Sequence, residues 1–338
     1  MTSKVILGVD MAKRNFEAAV RIAGEKSDVG QFTNDASGRQ RLVGKVAEWC
    51  ESQGIDQVHL IIEATGGYEA ALVAFAYEQG WLVSMPNPKL LRDWAKGAGY
   101  RVKSDKVDAR MLAHYGEERR PPTRPPLAIE VAQLDSLLKR RLDLEQALQK
   151  EQTRLAEYAS RPGIAPAVFD SLRQVIIALE EALATLEAAI EQLCHAHEPF
   201  RHDRQRLLAL PGVGPKIVLP LLVKLHQFQT LTAGAGDAKS FTSFIGLDPQ
   251  TYQSGSSVRR RLGISKMGDN ELRRLLYMGA LGGVSGRNPL TAFYQRLVQR
   301  GKAKKVALVA AARKILVWAW TIFSRQLDWN PHFHQFGS

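Results

Sequence analysis

Four carboxylates stand out by where the sequence puts them. Asp10 ends the apolar run Val5-Ile6-Leu7-Gly8-Val9, and Glu63 ends a second, Val58-His59-Leu60-Ile61-Ile62. Asp105 and Asp108 lie in Lys103-Ser104-Asp105-Lys106-Val107-Asp108-Ala109-Arg110, which leads into Met111-Leu112-Ala113. Short apolar runs read as buried strands, and residues three apart on a helix are neighbours. Acids at the carboxyl ends of strands sit where open α/β sheets bind ligands. Carboxylates that converge repel, so they protonate or recruit a cation. All-oxygen ligation suits Mg2+ or Mn2+, and two such ions clamp the attacking and leaving oxygens of a phosphodiester. Singly, each acid has a plain alternative: Asp105 as a helix N-cap, Asp10 as a turn cap, Glu63 as the partner of a lysine. The order of an Asp on the first strand, a Glu on a later one and Asp-x-x-Asp on a following helix is far more specific.

A second chemistry-bearing stretch is Gln253-Ser254-Gly255-Ser256-Ser257-Val258-Arg259-Arg260-Arg261-Leu262-Gly263-Ile264-Ser265-Lys266. A serine hydroxyl needs activation to be a nucleophile, and Arg259, Arg260, Arg261 and Lys266 could hold phosphate oxygens and stabilise developing charge. Read without further context it is a Gly/Ser/Arg loop with a solvated basic run. Pro211-Gly212-Val213-Gly214, followed by Lys216, has the form of a helix-hairpin-helix turn, in which Gly212 and Gly214 let backbone N–H groups approach a phosphate; an ordinary interhelical turn fits as well. Lys302, Lys304 and Lys305 open a last amphipathic helix on which Val306, Ala307, Val309, Ala310, Ile315 and Leu316 are expected to face a core. Cations at a helix start oppose its dipole, which favours an anionic partner. Cys194-His195-Ala196-His197 with His202 matches no closed zinc pattern.

The elements that must position these residues follow from periodicity. Val5–Val9 and Phe16–Ile22 read as a hairpin, with a third strand beginning at Phe32-Thr33. Arg39–Gln53 and Tyr68–Gln79 read as helices around the strand Val58–Ile62, and Trp81–Met85 is a further strand stopped by Pro86 and Pro88. Strands alternating with helices imply an α/β domain with a mixed sheet. The run Arg119-Arg120-Pro121-Pro122-Thr123-Arg124-Pro125-Pro126 reads as a stiff, extended connector. Residues 129–199 are helical, with Leu172, Ile176, Leu179, Leu183, Leu186, Ile190 and Leu193 forming an a/d heptad seam. That seam suits either an intramolecular helical hairpin or a dimerisation coiled coil. The division expected is 1–118 for the acidic α/β domain, 119–200 for linker and coiled coil, and 201–338 for a helix-rich basic domain.

The chain has 338 residues and a net charge of +12. Residues 1–115 carry 15 basic and 14 acidic side chains, residues 116–200 carry 10 and 14, and residues 201–338 carry 21 and 6. The last region, at +15, is the expected polyanion-binding part. Ordinary globular composition excludes wholesale disorder. The segment Val306–Phe323 is interrupted by Arg313 and Lys314, so no bilayer span is expected. Two cysteines do not make a disulfide framework, and the opening residues lack the form of a signal peptide. The expectation is a cytoplasmic protein without a membrane partner.

The acids in this order resemble the ribonuclease H-like, RuvC-type nuclease core. More closely, the whole chain resembles transposases of the insertion-sequence one-ten family, the DEDD recombinases of bacterial mobile elements. The matching residues are Gly8–Lys13, Ile62–Tyr68, Asn87-Pro88, Lys103–Arg110, Pro211–Gly214, Phe244–Pro249, Ser254–Ser257 and Arg273–Met278. The resemblance implies an RNase H-like first domain with Asp10, Glu63, Asp105 and Asp108 around a divalent metal. It makes Ser254 the nucleophile that forms a phosphoserine with DNA, with Ser256 the nearest rival. It implies donor and target DNA, a structured non-coding guide RNA and a homo-oligomer, dimer or tetramer, whose serine can serve a neighbour's acidic core. Two other readings compete: a RuvC-like hydrolytic junction nuclease without a serine intermediate, and a non-enzymatic nucleic-acid-binding protein. A sugar-kinase reading lacks the Gly-Thr phosphate turn after Asp10.

Overall fold

The computed structural model describes residues 4–64, 66–100, 104–254 and 258–330, and of residues 250–254 and 258–262 the backbone alone. The chain divides into two compact units, Met1–Pro126 and Leu127–Ser338. The sequence suggests breaks at 118 and 200; the structure parts at the end of the proline run and keeps the central helices with the C-terminal unit.

In the first unit, β1 (Val5–Met11), β2 (Asn15–Ile22) and β3 (Glu25–Thr33) form an antiparallel meander, and β4 (Val58–Ile62) and β5 (Leu82–Ser84) extend it parallel to β1. The order is β3-β2-β1-β4-β5, the mixed sheet of an RNase H-like domain. Phe32 closes the third strand rather than beginning it. Alternation along β1 sorts the core. Val5, Leu7, Val9 and Met11 pack with Leu42 and Val46 of α1 (Ala36–Gln53) and Leu72 and Ala76 of α2 (Ala70–Glu78). On the other face, Ile6 and Ile61 pack with Leu91 and Ala95 of α3 (Pro88–Gly97) and Met111 and Leu112 of α4 (Asp105–Arg119). The strand-stopping prolines hide the start of α3. Asn87 caps it, accepting from the Lys89 and Leu90 N–H groups, and Pro88 takes the first helical turn, where its missing N–H costs nothing.

The proline-rich connector does not hang free. The Arg124 N–H donates to the Val83 carbonyl at 2.7 Å, and the Tyr77 hydroxyl donates to the Arg124 carbonyl at 2.8 Å. Ser84 Oγ, buried, lies 2.9 Å from the Pro122 carbonyl, 3.2 Å from that of Pro121 and 2.7 Å from His59 Nε2. Two carbonyls can only accept, so the one hydroxyl hydrogen goes to them and His59 Nε2–H is the donor to Ser84.

In the second unit, α5 (Ile129–Ala159) and α6 (Pro166–Ala196) fold back on each other as a hairpin. Leu172 and Ile190 of the heptad seam are buried, and the seam residues between them are half-buried. α7 (Glu198–Leu208), α8 (Pro215–Leu231), α9 (Ala238–Ile245), α10 (Asn270–Gly283), α11 (Pro289–Gln299) and α12 (Lys304–Arg325) complete a helical body, with β6 (Pro249–Ser254) and β7 (Val258–Ile264) inserted between α9 and α10. Contrary to the reading of the interrupted segment, α12 is long and apolar enough to cross a bilayer by length and composition. Its apolar stripe is used inside the fold: Ala311, Ile315, Leu316, Ala319 and Ile322 are buried in the core with α7–α10.

Burial, with repulsion from Lys4 second, lowers the His59 imidazole from 6.5 to about 4. As pH falls below 6.5, the unfolded chain takes up this proton before the fold does, so stability declines across the window from 6.5 to 4. The loss amounts to about 3 kcal/mol. His59→Gln keeps an N–H toward Ser84 and does not titrate. Thermal melts at stepped pH are expected to show a shallower acid decline in this variant, and an identical decline would contradict the assignment.

Candidate active site

The β1/β4 register pairs Val9 with Ile62, so Asp10 and Glu63 are the next residues along neighbouring parallel strands, whose axes lie about 4.8 Å apart. Their shared face is set by close contacts with α4. A Cβ built on Gly8 would lie 2.2 Å from the Ala109 carbonyl oxygen and 2.3 Å from the Ala113 nitrogen, and one on Gly116 would lie 2.5 Å from Ile61 Cγ1 and 2.6 Å from Ile6 Cγ2. Gly8 and Ile61 therefore both face α4, and Asp10 and Glu63, each two residues further, continue that face. The same contacts show that α4 runs antiparallel to β1, with Ala109 over Gly8 and Gly116 over Ile6. Its first turn lies at the Asp10 end. Ala109, Leu112, Ala113 and Gly116 form the buried stripe, and one turn back along that stripe stand Asp105 and Asp108. Asp105 is exposed and the other three acids are half-buried. Ser104, not Asp105, is the N-cap, accepting from the Val107 N–H at 3.3 Å.

All four acids thus occupy one end of one face of the sheet. Among the described residues, no three His, Cys, Asp or Glu side chains close into a group that could hold a metal ion. The donor chemistry, carboxylate oxygens alone on a half-buried edge, fits a hard divalent cation, and the DEDD class of the domain points to divalent-metal dependence. Two ion pairs that the sequence reading missed tie α4 to β3 and β2. Arg110 grips the Asp28 carboxylate through Nε at 2.6 Å and through Nη2, which holds that carboxyl below its ordinary value. Glu117 accepts from Arg21 Nε and from the Gly24 N–H at 2.8 Å. Both join residues more than 80 apart in sequence, which no local pattern signals.

The serine stretch belongs to the second unit and is a hairpin where a loop is expected. Ser254 is the last residue of β6, opposite Val258, and Arg259, Arg260 and Arg261 on β7 stand opposite Gln253, Tyr252 and Thr251. Ser256 lies outside the described residues. The missed signal was two six- to seven-residue runs around Ser-Gly-Ser-Ser, a hairpin spacing. At the foot of the hairpin the Ser265 N–H donates to the Asp248 carbonyl at 3.0 Å, the Ser265 hydroxyl donates to the Asp248 carboxylate, and Arg273 Nη1 donates to the Ile245 carbonyl at 3.0 Å. Lys266, exposed, follows β7.

The Gly212 turn has φ +87° and is seated in a notch of α10, where a Cβ on Gly279 would fall 2.2 Å from the Gly212 carbonyl oxygen. Gly214 is the N-cap of α8 and offers no capping side chain, and Lys216 is exposed in the first turn. Lys302, Lys304 and Lys305 are exposed. Val306, expected to face the core, is 56% exposed, because the buried stripe of α12 starts one residue later with Ala307 and Leu308.

Residues 7–160 match a DEDD-type family model of the IS110 group described as Transposase, and residues 204–295 match one described as Transposase IS116/IS110/IS902 family. A Pilin gene-inverting protein of Moraxella bovis is 32% identical over 336 residues, covering 98% of this chain and 100% of its own. Its namesake in Moraxella lacunata is 31% identical over 336 residues, with the same coverage. A protein described as Transposase for insertion sequence element IS1328, from Yersinia enterocolitica, is 32% identical over 148 residues, 40% of this chain and 42% of its own.

A side chain at Gly8 must push α4, and with it Asp105 and Asp108, off β1. Gly8→Ala is expected to cost about 1–3 kcal/mol and to lower cleavage of DNA although every acid is intact. Gly44→Ala, inside α1 with nothing within 4 Å, is expected to be neutral or to stabilise by up to about 1 kcal/mol. Equal melting temperatures for the two variants would refute this account of the helix approach.

Proposed function

The chain belongs to the IS116/IS110/IS902 family of transposases, enzymes of DNA recombination, and on that premise we propose how its own residues cut and exchange strands. Asp10, Glu63, Asp105 and Asp108 hold a divalent cation, Mg2+ or Mn2+, and Ser254 is the nucleophile. The observation that supports this most is the placement of all four acids at one end of one sheet face by the β1/β4 register and the α4 contact. A divalent ion bound there supplies Lewis acidity to a phosphodiester oxygen. The carboxylates orient that phosphodiester. Ser254 Oγ forms a bond to phosphorus as the P–O bond to the departing strand breaks, and the serine proton ends on the oxygen that leaves. The hydroxyl of another DNA end then attacks the phosphoserine and restores the serine. Each exchange makes one phosphodiester-type bond for each one it breaks, so no nucleotide hydrolysis is needed.

In this reading Arg259, Arg260, Arg261 and Lys266 neutralise phosphate charge around Ser254. Gly212, Gly214 and Lys216 take a backbone phosphate at the start of α8, and Lys302, Lys304 and Lys305 extend the contact. Donor and target DNA are the substrates, a structured RNA from the element's non-coding ends is the guide, and α6 contributes to a homo-oligomer in which a serine serves a neighbour's acids. The full-length relatives are named for inverting a pilin gene; inversion is strand exchange between two sites of one DNA molecule and uses the same steps.

The test uses full-length protein, labelled DNA carrying the element's ends, and Mg2+. The expected product is a covalent protein–DNA adduct that survives denaturation, lost in Ser254→Ala and in Asp10→Asn. Strand cutting by Ser254→Ala at the wild-type rate would remove the serine step and leave a hydrolytic nuclease. Sequencing of co-purified nucleic acid is expected to return one discrete short RNA, and heterogeneous fragments would count against the guide.

A further inference from the structure

The near-neutral charge of residues 1–115 conceals a separation. Residues 88–104 carry five basic side chains and one acidic, whereas residues 1–87 carry eight and eleven. The basic segment begins with α3, and α3 begins at the acidic edge. β4 and β5 are parallel with Ile61 opposite Ser84, so the chain leaves β5 at the end where Glu63 lies, and α3 starts four residues later. Leu91 and Ala95 bury α3 against the sheet face that carries α4. Helical spacing then puts Lys89, Arg92 and Lys96 along one outward side, and all three are exposed. None of them is ion-paired among the described residues, and Asp93 is the one acid on the helix. The first N–H groups of α3 are taken by Asn87, so the attraction on offer comes from the side chains rather than from the helix end. Leu90, on the same element, is 54% exposed.

We propose that Lys89, Arg92 and Lys96 form a nucleic-acid contact of the first unit, holding the backbone of the DNA duplex beside the bond to be cut. The inference rests on the acidic edge being the cutting site. Its physical need is plain: a cluster of carboxylates repels the polyanion it must act on, and cations on the same sheet face offset that repulsion where the phosphodiester enters. Lys89 to Lys96 spans about 10 Å along the helix axis, close to the axial rise of three base pairs. The contact is sequence-independent, because phosphates position a strand without reading it.

The experiment measures binding of a labelled random-sequence duplex to full-length Asp10→Asn protein, which removes cutting, over a salt series. Adding Lys89→Gln, Arg92→Gln and Lys96→Gln is expected to make the slope of log K against log salt shallower by about 2 to 3, since each phosphate contact contributes about 0.9. A control removes three charges from β3 and α1, through Lys26→Gln, Arg39→Gln and Arg41→Gln, and is expected to leave the slope within about one unit of the parent. An unchanged slope in the α3 variant, or an equal change in the control, overturns the proposal while the recombinase reading stands. Failure of the Asp10→Asn parent to bind duplex DNA at all also overturns the proposal, and loss of the covalent adduct in wild-type protein is the separate result that overturns the recombinase reading.

Discussion

Gly8 has no side chain, and the first unit is organised by that fact. Its α-carbon is the place where the backbone of α4 touches the central strand of the sheet, at Ala109 and Ala113, and Gly116 repeats the approach against Ile6 and Ile61. Ala109 and Gly116, just under two turns apart on α4, let the helix lie against the strand at backbone distance. The direction of α4 follows, and with it the position of its first turn. Asp105 and Asp108 reach the end of β1 only because the helix behind them is seated this closely. The Arg110–Asp28 and Glu117–Arg21 pairs hold the outer side of the same helix. They are partly exposed and individually weak, so they trim an orientation that close packing establishes.

The second unit uses the same device for a different purpose. Gly212 and Gly279 meet backbone to backbone, which fixes the turn before α8 against α10. α10 also follows the Ser254 hairpin, whose foot is held by Asp248, Ser265 and Arg273. The turn and the hairpin are therefore both referred to one helix, and that helix is buried against α12 through Leu276 and Ala280. The apolarity of α12 is a consequence: a helix packed among α7–α10 has few positions left for charge.

Charge is unevenly divided along the chain. Acids stand on the half-buried sheet edge of the first unit, and the large basic excess lies after residue 200. The exposed cations of α3 show that a regional charge sum is a poor guide to a surface. A neutral total arises equally from an even mixture and from two opposed patches, and only the fold separates them.

Much of the candidate site was legible in the sequence. Val5–Val9 and Val58–Ile62 read as buried strands because their side chains, apolar except for the hydrogen-bonded His59, meet covered faces on both sides of the sheet. The acid ending each run, the Asp-x-x-Asp spacing and the Ser-Gly-Ser-Ser stretch are local patterns, and local patterns survive without coordinates. The start of α3 was missed because Pro86 and Pro88 read as terminators, although Pro88 is an initiator. The Ser254 hairpin was missed because its strands are polar. What the sequence alone determined is which residue types could do chemistry and, for the four acids, on which elements they ride. The tertiary structure alone decided that Asp10 and Glu63 are neighbours on the face that α4 covers, and that α4 arrives with its acids at their end. Strand register and backbone approach are contacts between residues tens of positions apart, and a contact of that range depends on the three-dimensional path of everything between.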